Sequence, residues 1–309
     1  MRASLLKNQM FILLAVLVIM LIIASLASPS FRTLSNMSNV LRQAVALGLV
    51  SIGQSYVMYS GGFLDLSVGS TMSLTSVIAA IAMGGIFGGN IFALTLILIV
   101  LGLSIGVING LIIVKLKLHP FITTFATMSV IQGIVFMITT SPTGHVTQTF
   151  RQIANAHFGF IPVGMLILVF LILISYVILT YTRYGRSIYA VGGSKEIARL
   201  AGIKQNKILI STFAIAGVGA VLAGLFMTSR LGIGSPVVGL NYGFDSITAV
   251  VLGGTPLEGG RGNIIGTLIG VLILVLINNI LNMIEVQAYW QYLIKASILL
   301  VAVGIQTRN

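Results

Sequence analysis

The 309-residue chain has no cysteine, five acidic residues and a single tryptophan. Without cysteine there is no disulfide, no thiolate nucleophile and no cysteine-ligated metal. The acids, Asp65, Glu196, Asp245, Glu258 and Glu285, form no paired-carboxylate motif, and neither a nucleophile–base pair nor an HExxH string lies in or beside the apolar segments. An intramembrane enzyme is therefore poorly supported. His119, His145 and His157 fall in connecting segments without ligand spacing, so no metal site is expected. Charged residues make up only 7% of the chain against 57% hydrophobic residues, and mean hydropathy is +1.09. That balance excludes an ordinary soluble domain. The net charge of +12 does not indicate nucleic acid, because the basic residues interrupt apolar runs instead of gathering on a polar domain.

What is abundant is long apolar sequence. A helix needs roughly 20 apolar residues to cross the hydrocarbon core of a bilayer. Ten segments fit: 10–28, 42–61, 66–84, 91–114, 120–140, 162–182, 207–229, 244–256, 263–284 and 288–306. The chain 1–309 thus reads as one all-α polytopic membrane domain of about ten helices. The eighth segment is short. Arg2 and Lys7 before the run Met10 to Leu26, with Ser25-Leu26-Ala27 after it, resemble a signal peptide. The run is long for one, and an uncleaved first span is the expectation.

Placing the N-terminus inside puts Arg2, Lys7, Lys115, Lys117, Arg183, Arg186, Lys195, Arg199, Lys204, Lys207, Arg261 and Arg308 in the cytoplasm. Only Arg32, Arg42, Arg151 and Arg230 then lie outside, with Lys295 inside the last span. Twelve against four predicts both termini cytoplasmic. Gly102, Gly106 and Gly110, like Gly262, Gly266 and Gly270, recur every fourth residue and predict closely packed helix pairs.

Several polar features interrupt the apolar pattern. Gly61 and Gly62 allow a break in the helix, after which Asp65 and Ser67 are placed to cap the next one or to take part in conformational coupling. Asp245 likewise stands where an N-cap is expected. The stretch Leu252 to Gly262 has five glycines and a proline in eleven residues, including Gly253 and Gly254, and predicts a tight turn or loop. It lacks the Lys-Ser/Thr pair and preceding strand of a phosphate-binding loop. Thr123, Thr127, Gln132, Asn278, Asn279 and Asn282 are neutral hydrogen-bonding groups within spans. They suit a path for an uncharged polar solute, and equally suit interhelical hydrogen bonds.

The one strongly charged island is 183–207, which carries Arg183, Arg186, Lys195, Arg199, Lys204 and Lys207 with Glu196 as its acid. Ile197, Leu200 and Ile203 recur at three-residue spacing, with Lys195, Glu196, Arg199 and Lys204 left for the other side. This is a short amphipathic helix with an apolar face to bury. A positive-inside anchor would need the charges but not that face, so a cytoplasmic docking segment is the expectation.

Four motifs in register, Gly61 to Gly69 (GGFLDLSVG), Arg183 to Gly193 (RYGRSIYAVGG), Ala198 to Ile203 (ARLAGI) and Ala249 to Gly262 (AVVLGGTPLEGGRG), resemble the ribose-type permease family of ABC importers across residues 30 to 305. Two residues, Phe63 and Leu64, separate Gly-Gly from Asp65 where the family usually has one, and Ser194 stands where it often has Asn. The resemblance implies a type II ABC importer permease fold in the bacterial cytoplasmic (inner) membrane, as a homodimer or paired with a similar permease. It implies partner ATPases that use ATP and Mg, no cofactor on this chain, and a periplasmic or lipid-anchored solute-binding protein outside. Arg183, Arg186, Gly192, Gly193, Lys195, Glu196, Ala198, Arg199, Leu200, Gly202 and Ile203 then form the ATPase-coupling segment. The cargo implied is a monosaccharide such as ribose, with autoinducer-2, nucleosides and branched-chain amino acids as alternatives. An ion-coupled secondary transporter is the competing class, and Asp65 and Asp245 would be its only candidate carboxylates. The segment 141–161, with Thr143, His145, Gln148, Arg151, Gln152, Asn155 and His157, is the longest outer loop and the place where a binding protein would touch.

Overall fold

A computed structural model describes residues 2–85 and 90–306. In hydrocarbon each backbone N–H and C=O must be satisfied within its own segment, so the long apolar runs become helices. In chain order the helices are α1 (Arg2–Ala27), α2 (Leu34–Tyr59), α3 (Ser67–Gly84), α4 (Ile91–Lys115), α5 (Pro120–Ile138), α6 (Gln148–Asn155), α7 (Val163–Tyr181), α8 (Arg183–Gly193), α9 (Lys195–Leu200), α10 (Gln205–Leu231), α11 (Tyr242–Leu252), α12 (Ile264–Met283) and α13 (Ala288–Gln306). One small antiparallel hairpin, β1 (His157–Phe158) with β2 (Ile161–Pro162), follows α6 and turns at Gly159.

Six helices, α3, α4, α5, α7, α10 and α12, are long and apolar enough to cross a membrane. Residues Met10–Leu26 of α1, Ala288–Gly304 of α13 and the whole of α11 form shorter apolar helices. The chain is a multi-pass membrane protein. Helices α3, α10 and α12 are the inner ones, with 78%, 72% and 61% of their apolar windows buried, against 22%, 22% and 28% for α4, α5 and α7. The outer helices turn Phe92, Phe125, Phe170 and similar side chains outward, as lipid requires. Helix α2 is buried without interruption from Ala44 to Tyr59. It meets α10, α12, α11 and α7, and that central position is why it can carry Ser51, Gln54 and Ser55.

The fourth-residue glycines lie at these contacts. A Cβ on Gly106 would sit 2.2 Å from the Phe213 carbonyl oxygen, and one on Gly102 2.5 Å from that of Gly217, so α4 rests backbone-to-backbone on α10. On α12, Gly266 and Gly270 bring α11 equally close, whereas Gly262 lies before the helix. The expected span at 244–256 is shorter than drawn. Helix α11 stops at Leu252, because Gly253 and Gly254 turn the chain and Gly254 takes φ +90°.

Candidate functional site

Within the segment 183–207, residues 183–200 form a pair of capped helices, and α10 begins at Gln205. Thr182 Oγ1 accepts the Gly185 N–H at 3.1 Å, starting α8, whose buried face is Gly185, Ile188 and Val191. Ser194 Oγ accepts the Ile197 N–H at 3.3 Å and starts α9. Serine and asparagine are both strong N-caps, so Ser194 keeps the local geometry. Gly202, at φ +73°, closes the helix as its N–H reaches Arg199 O and the Ile203 N–H reaches Ala198 O, each at 3.0 Å. Ala198 points inward and is buried, while Ile197 and Leu200 are 68% and 77% exposed. Lys195, Glu196 and Arg199 are exposed on the same short helix, and Arg183 and Arg186 are exposed one helix earlier. The helix thus holds two large apolar side chains out of the bundle, next to exposed charged ones.

Where α8 ends, three diglycine steps meet. A Cβ on Gly192 would stand 2.1 Å from Tyr59 O and 2.6 Å from Gly260 N. One on Gly260 would stand 2.6 Å from Gly193 Cα, and one on Gly61 3.1 Å from Gly192 Cα. The Gly260 N–H donates to Tyr59 O at 3.1 Å, fastening the 253–262 loop to the end of α2. Above this backbone contact the rings of Tyr59 and Tyr189 stack at 5.4 Å, and Tyr189 Oη donates to Gly262 O at 3.2 Å. Ser60 and Thr212 hydroxyls pair at 3.1 Å on the α10 side.

The break after α2 leads to Asp65, which is 1% exposed. Its Oδ1 accepts the Ser67 N–H at 2.9 Å and the Ser67 hydroxyl at 2.6 Å. Asn109 Nδ2 donates to Ser67 Oγ at 2.9 Å, and the Thr127 hydroxyl to Asn109 Oδ1 at 2.7 Å. One polar chain thus joins the break, α3, α4 and α5. Gln54, with its amide oriented to satisfy both bonds, holds the Asp65 backbone N–H and C=O at 3.0 and 3.2 Å. Ser67 does not cap: it is the first residue of α3 and passes the interaction from Asp65 to Asn109. Phe63 takes φ +60°, unusual for a bulky residue, in the two-residue spacer before Asp65.

Asp245 is not an N-cap. Helix α11 begins three residues earlier at Tyr242, and the Asp245 carboxylate pairs with Lys295 Nζ of α13 at 3.1 Å. Thr123 Oγ1 donates to His119 O, Gln132 Nε2 to Pro236 O, and Asn279 exchanges two amide hydrogen bonds with Asn36. Asn282 Oδ1 accepts from Gln291, whereas Asn278 Oδ1 is buried without a partner. No hydrogen bond joins the α5 set to the α12 set among the described residues.

Residues 36–303 match the family described as branched-chain amino acid transport system / permease component. The chain belongs to this family. Among similar relatives of the permease, the ribose import permease protein of Bacillus subtilis is 41% identical, covering 95% of this chain and 91% of the relative. The ribose import permease protein of Haemophilus influenzae is 37% identical, with 93% and 90% covered. The xylose transport system permease protein of Escherichia coli is 33% identical, with 98% and 92% covered. No solved structure matches the permease.

Sequence reasoning missed the aromatic, hydroxyl and amide partners in the permease: Tyr59, Tyr189, Thr212 and Asn36. The diglycines were visible, but only the fold shows that three of them share one point. On the opposite side of the molecule, Asn36, Asn39, Arg42 and Arg230 line an open cleft of about 400 Å³, with Arg230 donating to Asn39 Oδ1 at 2.9 Å.

Proposed function

We propose that the chain is the membrane-spanning permease subunit of an ATP-driven ABC importer for a monosaccharide, ribose or a related pentose. The observation that carries this reading is the likeness to ribose and xylose permeases over more than nine-tenths of the chain. The chain is not an enzyme, and ATP hydrolysis belongs to a separate subunit. Its partner in the bacterial inner membrane is a second copy or a similar permease, with a pair of ATPase domains on the cytoplasmic side and a periplasmic or lipid-anchored solute-binding protein outside. Ten spans are supported by the residues that the fold brings together. Tyr59–Gly62, Tyr189–Gly193 and Glu258–Gly262 meet at one end, all assigned to the cytoplasm. Arg42 and Arg230 meet at the other, both assigned outside.

The ATPase docks on Ile197 and Leu200, with Lys195, Glu196 and Arg199 at the rim. ATP-driven closure of the ATPase pair moves this segment as a body and shifts the helix bundle between inward- and outward-facing states. Both carboxylates within the bundle are committed, the buried Asp65 to Ser67 and the half-buried Asp245 to Lys295, which disfavours ion coupling.

The deciding experiment purifies the complex in mild detergent and compares wild type with Leu200→Asp and Arg199→Glu. Wild type retains the ATPase near stoichiometry. Leu200→Asp, which removes the centre of the patch, loses it while remaining monodisperse, and Arg199→Glu loses stimulation of hydrolysis. Full retention and stimulation in both variants would refute the docking assignment.

A further inference from the structure

We infer that Gly192, Gly260 and Tyr189 are positioning residues for transport: they form the seat through which the docking segment moves the Ser60–Leu66 break and, with it, Asp65. The inference rests on the importer reading above. Three backbones meet at this seat with almost no side chain between them. Gly192 lies so close to Tyr59 O that a methyl group would stand 2.1 Å away, and the same carbonyl accepts the Gly260 N–H. Gly259, at φ +84°, presses on the other side of the break, where its Cβ would meet Met58 O at 2.4 Å. Packed backbone is stiff, so a displacement of α8 is transmitted and not absorbed by rotamer changes.

The two ends of the connection are equally defined. Helix α9 follows α8 after Ser194 alone, so a force on Ile197 and Leu200 reaches Gly192 over a few residues of capped helix. From Tyr59 the chain runs through Gly61, at φ +69°, to Asp65, whose hydrogen bonds reach α3, α4 and α5. The Tyr59–Tyr189 stack and the bond from Tyr189 Oη to Gly262 O keep the three backbones in register. On this inference the junction takes two positions, biased from the ATPase end and from the bundle end, which is what coupling requires.

The test uses the complete transporter, chain with ATPase and binding protein, in proteoliposomes. Ribose uptake and ATP hydrolysis are measured together, and their ratio separates coupling from the amount of folded complex. Gly192→Ala keeps its ATPase but moves about fivefold less ribose per ATP, or worse. Tyr189→Phe, which keeps the ring stack and loses only the bond to Gly262, falls less. Gly133→Ala on α5, where a Cβ meets nothing within 4 Å, keeps the wild-type ratio. A second readout needs no cargo: maleimide labelling of Leu64→Cys, in a chain without other cysteines, changes with ATP in wild type and not with Gly192→Ala. A wild-type ratio and wild-type labelling in Gly192→Ala overturn the inference. If that variant fails to assemble, an unchanged ratio in Tyr189→Phe overturns it. A loss of ratio in Gly133→Ala as well would reduce the effect to general intolerance of added methyls and also overturn it. A wild-type chain that purifies without any ATPase overturns the importer reading itself.

Discussion

Asp65 lies inside the bundle, yet every partner that reaches its side chain is neutral. Ser67 supplies two donors to one carboxylate oxygen, and Asn109 and Thr127 extend the chain to two further helices. Replacing Asp65 by Ala leaves the Ser67 N–H at the start of α3 without its acceptor and loosens the Asn109 link. The expected cost is about 2–3 kcal/mol, from orphaned buried donors in the range of 1–3 kcal/mol each. Asp65→Asn costs about 1 kcal/mol, because the amide oxygen still accepts from Ser67. Heating the detergent-solubilised protein and following its monodisperse fraction checks both, and an unaltered midpoint for Asp65→Ala would refute the network. That Asp65 stands at the start of α3 was legible from Gly61, Gly62 and Ser67, but it accepts the Ser67 N–H from one residue before the N-cap, Leu66. The continuation of the network was not legible, because Asn109 and Thr127 come from distant helices, and a polar side chain within a span, as Thr127 is, does not say which helix it reaches.

Helices show the same division between local and distant causes. The ten apolar segments all contain helix, since hydrocarbon leaves a single chain no other way to satisfy its backbone. Helix α8 was not legible as helix: RYGRSIYAVGG has three glycines and β-branched residues, poor formers by propensity. It forms because Thr182 caps it and Gly185, Ile188 and Val191 face the bundle, which is tertiary support. Asp245 shows the converse error, since a carboxylate near a helix start looked like a cap and is an ion-pair partner. That pair ties α13 to α11, with side chains only 17% and 18% exposed. Removing one partner strands a mostly buried charge, so Lys295→Met and Asp245→Asn should each cost about 2–3 kcal/mol, somewhat under the 3–5 kcal/mol of fully buried pairs. The double variant should recover most of that loss in a thermal-stability cycle. Additive losses would mean that the two charges act independently.

For the whole molecule the decisive information in the sequence was the placement of its basic residues. Lys and Arg avoid translocation, so their asymmetry assigns sides to segments that apolar composition alone leaves equivalent. The fold groups the segments in the same two sets: the diglycine seat joins three stretches at one end, and the 400 Å³ cleft joins Arg42 and Arg230 at the other, while which end is inside rests on the charge count. What composition could not give was which helices lie at the centre, because α2 is central and less apolar than the outer helices around it. The absence of cysteine makes the topology directly testable. Gln152 is an exposed residue of the amphipathic helix α6, which the charge count assigns outside, and Glu196 an exposed residue of α9. In intact cells with a permeable outer envelope, an impermeant maleimide should label Gln152→Cys fully and leave Glu196→Cys untouched until the inner membrane is opened. Labelling of Glu196→Cys alone would reverse the orientation, and labelling of both from outside would put α6 and α9 on one side of the membrane. The exposed Ile197–Leu200 patch would then face away from any ATP-driven partner, and the importer reading would fall with it.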